Sequence, residues 1–216
     1  MQLQDIWDFL QERVFTAVNC CEKPLFNFYQ RCDLEVDLPG ADQIRQKNLH
    51  HYLQNFSERP SVLVVGEAPG WRGCRFSGVP FTSQAQLLSG DLPFTGRLSG
   101  CVSSPLNEST ATVFWQVMRP YHPRFLVWNC VPLHPHRPGI LLSNRALDRH
   151  EITCYQPILR EMIALLAPRQ VVAVGRAAQY ALDAIVGPAV YVRHPSHGGA
   201  NPFKEGIESA LFEPVE

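Results

Sequence analysis

Residues Ser61 to Ser83 read SVLVVGEAPGWRGCRFSGVPFTS, and this stretch decides the fold. Ser61 to Val65 form an apolar run of β-formers that stops at Gly66-Glu67-Ala68-Pro69-Gly70. A short run bounded by Gly and Pro predicts a buried strand of a parallel sheet. Open α/β sheets bind ligands at the carboxyl ends of such strands. Here that end carries one carboxylate, Glu67, in a loop whose backbone N–H groups can approach a ligand closely. The same residues would also serve as an ordinary turn.

Working outward, three further strands are predicted. Phe125–Val131 (FLVWNCV) runs into Pro132-Leu133-His134-Pro135-His136, Gln170–Val174 ends at Gly175, and Ala189–Val192 runs into Arg193-His194-Pro195-Ser196-His197-Gly198-Gly199. Helical spacing of apolar residues predicts helices over about 1–18, 44–56, 108–118 (capped by Ser109 or Thr110) and 150–167, from Arg176, and from near Pro202. Pro157 is expected near the start of its helix or at a kink. Residues 70–106 read as a long, ordered, glycine-rich loop, a feature that is usually functional. Strands alternating with helices imply an α/β fold: a three-layer α/β/α arrangement around a mainly four-stranded parallel sheet, in a single domain over 1–216. Parallel strands put their carboxyl ends on one edge, so Glu67, Asn129 and His194 are expected to converge there.

The 216 residues are 45% hydrophobic and 18% charged, the composition of a soluble globular protein. No apolar run approaches a bilayer span, and no signal-peptide pattern opens the chain. Seven cysteines, an odd number scattered through apolar segments, point to reduced thiols in a cytoplasmic or nuclear protein that is not secreted. A formal net charge of −1 gives no global attraction to nucleic acid, so any such footprint must be local.

Four elements, in order and each at a strand end, resemble the uracil-DNA glycosylase superfamily. GEAPG at 66–70 is similar to the first motif of its iron–sulfur branch, family four. VPFTS at 79–83 resembles the loop supplying a base-stacking aromatic, FLVWN at 125–129 the strand ending in a base-reading Asn, and HPS at 194–196 the second catalytic motif. The resemblance implies a DNA-repair enzyme that flips uracil, or a related damaged pyrimidine, from single- or double-stranded DNA and hydrolyses its N-glycosidic bond. It implies Glu67 and His194 as catalytic residues, and Gly66, Ala68, Pro69, Gly70, Phe81 and Asn129 as base-binding residues. The chemistry of the side chains agrees. Phe81 offers a π-face for stacking, and the amide of Asn129 matches uracil's N3–H donor and O4 acceptor, both reversed in cytosine. His194 can donate to the leaving base as it gains negative charge, and Glu67 can stabilise the sugar cation or activate water.

Arg72, Arg75, Arg193, Ser196 and His197 lie on loops of the expected active edge and read as DNA-binding residues, with Arg137 a further rim cation. A monomer acting on DNA, with no membrane contact, is expected. Two departures from family four stand out. Only Cys154 sits in a matching cysteine context, Cys20-Cys21 being adjacent rather than CxxC and Leu133 standing near the post-strand position. The expectation is therefore no cofactor and no metal, neither iron–sulfur cluster nor zinc. Gly73-Cys74-Arg75 occupies a place where that branch carries acidic residues, which leaves a second catalytic carboxylate unassigned. Gly70 stands where the best-known uracil-specific branch has a tyrosine that excludes 5-methyl bases, which implies tolerance of a modest C5 substituent. Two other readings stay open: a DNA-binding module that flips damaged bases without cutting, and a metal-dependent hydrolase using His134, His136, His194, His197 and Glu67.

Overall fold

The computed structural model describes residues 3–101 and 104–212. Its centre is a four-stranded, all-parallel sheet formed by Val62–Gly66 (β1), Phe125–Asn129 (β2), Gln170–Val174 (β3) and Val190–Val192 (β4), in the order β2-β1-β3-β4. Every residue of β1 and β2 is buried, as a sheet covered on both faces requires. Register aligns Gly66 with Asn129 and Val174 with Val192, so the strands end nearly level. The chain leaves β1 towards β2 on one side and returns to β3 on the other. That reversal opens a crevice beyond the carboxyl ends of β1 and β3.

The flanking helices are Leu3–Phe9 (α1), Ala41–Gln54 (α2), Ser109–Met118 (α3), Arg149–Leu166 (α4), Arg176–Val186 (α5) and Ala200–Phe212 (α6). α3 packs on α6, while α4 packs on α5 and on α1. The fold is thus α/β, a parallel sheet flanked by helices. No helix among the described residues is long and apolar enough to cross a membrane.

Several local features differ from expectation. β1 and β2 span 62–66 and 125–129, and beyond them the chain bends at Cys130 and Val131, which still donate to the carbonyls of Gly66 and Glu67. α1 passes into a π-helical turn at Leu10–Val14 and ends there, leaving Val18 exposed outside it, while Met1 and Gln2 lie outside the described residues. Pro157 stands inside α4, whose apolar face buries Ile152, Tyr155, Leu159, Met162 and Leu166. Burial of that stripe outweighs the roughly 3 kcal/mol cost of an interior proline. Neither Ser109 nor Thr110 caps α3; Glu108 holds the cap position with no side-chain capping bond. The stretch over 70–106 contains two short helices, Cys74–Ser77 and Gln84–Ser89. The second is fixed by a reciprocal capping box between Ser83 and Gln86. A two-residue antiparallel pairing of Leu25–Phe26 with His134–Pro135, too short to signal itself in sequence, ties the N-terminal segment to the chain beyond β2.

Candidate active site

A cleft of about 770 Å³ opens at the carboxyl edge of the sheet, and Glu67, Phe81, Asn129 and His194 all line it. Ala68, Pro69, Gly70, Arg72, Ser196 and His197 are also in its wall. Gly66 lies beneath: a Cβ there would collide with the Phe81 ring and press on the Asn129 carbonyl oxygen. A glycine at the end of β1 therefore lets the aromatic and the amide close over the strand end.

Asn129 terminates β2, and its side chain is 5% exposed. Among the described residues its amide has no hydrogen-bond partner, although it faces the cleft. Buried amides are normally satisfied, so an unpaired one in a cleft wall is free to bond a ligand there.

Phe81 has a left-handed backbone, φ 50°, an uncommon conformation for a bulky residue. Its ring stacks on Phe114 with centroids 4.4 Å apart and planes inclined by 20°. Next to it, Thr82 Oγ1 accepts from Trp115 Nε1 at 3.0 Å. The α3 residues Phe114 and Trp115 thus hold the loop in a conformation it would not adopt alone.

His194 follows β4, where Gly175, with φ 87°, brings its Cα alongside the imidazole. The Ser196 backbone N–H donates to Nδ1 at 3.2 Å, and Ser196 Oγ lies 2.8 Å from the same nitrogen. Burial, then the charges of Arg193 and His197, lower its pKa to about 4. The neutral ring accepts at Nδ1 and carries its proton on Nε2.

The Glu67 backbone carbonyl accepts from Val131 N at 3.1 Å, and its carboxyl accepts from Leu147 N at 3.4 Å. Burial raises the carboxyl's pKa and the Leu147 bond partly offsets this. His134, wholly buried, places Nδ1 2.8 Å from the Pro69 carbonyl and Nε2 3.0 Å from the Leu141 carbonyl. It fastens the loop after β1 to the 136–148 segment. Arg145 extends that clamp, donating to both oxygens of Glu151 and to the carbonyls of Pro24 and His136.

A second carboxylate, Glu108, lies in the cleft wall. A Cβ at either Gly70 or Gly73 would run into its oxygens. Desolvation raises its pKa to about 7. Sequence reading missed it because it stands at the cap position before α3, far along the chain from the glycines it covers. The one available signal was an acidic residue at a helix start with no capping partner three positions on.

Arg75 corrects the sequence reading. It is wholly buried, and together with Arg45 it grips Asp37, itself 4% exposed. Arg45 also donates to Ser99 Oγ at 3.1 Å and the Phe28 carbonyl at 2.7 Å. Arg75 therefore secures the long loop from within and cannot meet a phosphate. Arg72 remains exposed, its guanidinium 4.8 Å over the Trp71 ring. Arg193, Arg137 and His197 are exposed as well, His197 in a left-handed turn at φ 50°. Ser196 is committed to His194.

The histidines do not gather into a metal site. His134 is spent on backbone carbonyls, and among the described residues the one cluster of ligand-type side chains is Cys20, Cys21 and Cys154. An iron–sulfur cube does not fit that set. It needs four thiolates on four separate irons, the three sulfurs lie within 4.8 Å of one another, and Leu133 is buried in the apolar core.

Comparison with known proteins follows the same lines. The family model described as the uracil DNA glycosylase superfamily matches residues 53–214. Comparison with curated proteins found no match. Among solved structures, the chain is similar to that of wild-type Pedobacter heparinus SMUG2, with a TM-score of 0.68 and 13% identity over 97% of this chain and 96% of that one. At that identity the likeness shows the fold.

Proposed function

The chain belongs to the uracil-DNA glycosylase superfamily, and we propose that it excises uracil, or a closely related damaged pyrimidine, from DNA as a monofunctional N-glycosyl hydrolase. The observation that carries this reading is the unpaired amide of Asn129 beside Phe81 and His194 in one cleft.

A base swung out of the stack enters between the β1 loop and the segment after β4 and stacks on Phe81. The Asn129 carbonyl accepts from N3–H and its NH₂ donates to O4. Cytosine would leave both buried groups unpaired, the kind of mismatch that discriminates most strongly. As the C1′–N1 bond breaks, its electron pair passes to the base and charge gathers on O2. His194 Nε2–H is the donor suited to that oxygen, and its neutral state gives hydrogen-bond stabilisation without a cation to neutralise first. Ionised Glu67 faces the sugar as it becomes cationic and takes a proton from the water that adds to C1′. Glu108, with its raised pKa, supplies the second carboxyl that the Gly73-Cys74-Arg75 segment lacks. The exposed cations Arg72 and Arg193 hold flanking phosphates. His197, exposed in a segment, 196–199, that carries no large apolar side chain, favours substrates that need little prying, such as single strands. The chain would act as one domain, and as a monomer.

Incubation of the protein with a uracil-containing oligonucleotide, followed by alkali, tests the reading. Strand cleavage at the uracil position is expected. Binding without cleavage would instead favour a module that flips bases without cutting.

A further inference from the structure

Away from the cleft, three thiols from distant parts of the chain meet. Cys20 and Cys21 lie in the irregular segment that follows the N-terminal helix, and Cys154 lies on α4. Their Sγ atoms are all within 4.8 Å of one another, with Cys20 and Cys21 3.9 Å apart. All three are free thiols. Four residues before Cys154 on the same helix face, His150 brings Nε2 to 3.6 Å from Cys154 Sγ.

The sulfur–sulfur separations and the Cys154–His150 distance approach those of ligands around a single tetrahedral ion, while the exposed His150 ring stands farther than 4.8 Å from at least one of the other two sulfurs and would swing in to close the set. With Zn–S near 2.3 Å and Zn–N near 2.0–2.1 Å, two sulfurs on one zinc stand about 3.8 Å apart, and a sulfur and a nitrogen about 3.6 Å. We propose that Cys20, Cys21, Cys154 and His150 form a structural Cys₃His zinc site. The donor set is soft and mixed, with four protein ligands and no position left for substrate. Adjacent cysteines argue against such a site only when all ligands must come from one short segment. Here a helix supplies the other two. The framework is preorganised by neighbours: Tyr155 Oη donates to the Val18 carbonyl at 3.0 Å, and Lys23 Nζ pairs with Asp148 at 2.8 Å, on either side of the thiols. Binding replaces three thiol protons by one divalent ion, so it releases protons and weakens as pH falls. It would staple the N-terminal segment to the start of α4.

The test uses the full chain, reduced and freed of metal with a chelator, and titrated with Co²⁺ and then Zn²⁺. One Co²⁺ per chain should give thiolate-to-metal charge-transfer absorption with the strong visible bands of tetrahedral cobalt, and one Zn²⁺ should displace it. The melting temperature should rise with added Zn²⁺. Cys154→Ser should abolish the charge-transfer band while the far-ultraviolet circular dichroism stays that of the parent. His150→Ala, on an exposed side chain, should weaken Co²⁺ binding by at least about 10–100-fold, the cost of losing even an outer-shell partner. No saturable binding to the reduced protein would overturn the site, as would four irons with sulfide per chain. Unchanged Co²⁺ spectra in both variants would equally overturn it, placing the metal elsewhere. None of these outcomes depends on glycosylase activity.

Discussion

The Ser196 backbone N–H points at His194 Nδ1 from 3.2 Å, which leaves the imidazole's proton on Nε2. A loop amide four residues beyond the end of β4 thus chooses the tautomer of the cleft's histidine. With its pKa near 4, His194 is neutral through the physiological range. His194→Ala should lower single-turnover excision by about 10²–10³ while binding to uracil-containing DNA changes far less. Excision by the parent should show no loss attributable to this residue as pH falls from 7 to 5. A sharp fall centred near 6.5 that is absent from His194→Ala would mean the ring titrates normally. Because the folded pKa lies below the unfolded value, the group's contribution to stability is present above about 6.5 and lost as pH falls towards 4.

Asn129 has an amide that no other described residue satisfies, so its removal should cost little stability and much recognition. Asn129→Ala is expected to reduce uracil excision with an unchanged melting temperature. Asn129→Asp, when protonated, can donate where cytosine accepts and should gain weak cytosine excision at low pH. Intact uracil excision by Asn129→Ala would remove it from base recognition.

Glu108 carries a pKa raised to about 7 by desolvation. A raised acid stabilises the fold fully below its unfolded pKa near 4.5, and that contribution disappears as pH rises through 7. Glu108→Gln should therefore melt progressively higher relative to the parent between pH 5 and pH 8. The pH–rate profile of the parent should also carry an ionisation near 7 that the variant lacks. Parallel melting curves for the two proteins across that range would show the carboxyl to be ordinary.

Gly70 reads from sequence as an open wall that admits a C5 substituent, but in the fold the space above it holds the Glu108 carboxyl and the Asn144 amide. Substitution there must displace Glu108, the flexible end of a side chain. Single-turnover excision of uracil and 5-hydroxymethyluracil should be compared in the parent, Gly70→Tyr and Glu108→Ala. Gly70→Tyr should lose the larger base preferentially, by the ~1–3 kcal/mol that a shape filter for one small group supplies. Glu108→Ala should gain it relative to uracil. Equal effects on both bases in both variants would mean the pocket closes elsewhere.

Asp37 sits between two buried arginines, Arg45 and Arg75. Asp37→Ala leaves both unpaired and should cost about 3–5 kcal/mol of stability by chemical denaturation. Arg75→Ala should likewise destabilise, and it should leave the salt dependence of DNA binding unchanged, because Arg75 touches no solvent. A reduced salt slope in that variant would return Arg75 to the DNA interface.

The sheet and its active edge were legible because their cause is local. Apolar runs that end at Gly or Pro must be buried strands, and parallel strands must share an edge, so Glu67, Asn129 and His194 could be placed together without coordinates. The remainder depended on contacts between segments far apart in the chain. Whether an arginine on a loop faces phosphate or a buried carboxylate depends on where Asp37 folds, and nothing near Arg75 in sequence says so. Glu108 fills the space over Gly70 and Gly73 only because α3 packs against the loop after β1. His134 reads like a ligand by its neighbours, yet is consumed by two carbonyls that folding brings to it. Cys20, Cys21, His150 and Cys154 carry no spacing signature, since their proximity is set by how the N-terminal segment docks on α4. Periodicity and turn chemistry act over a few residues and can be read along the chain, whereas pairing and desolvation act through space and exist only once the chain has folded.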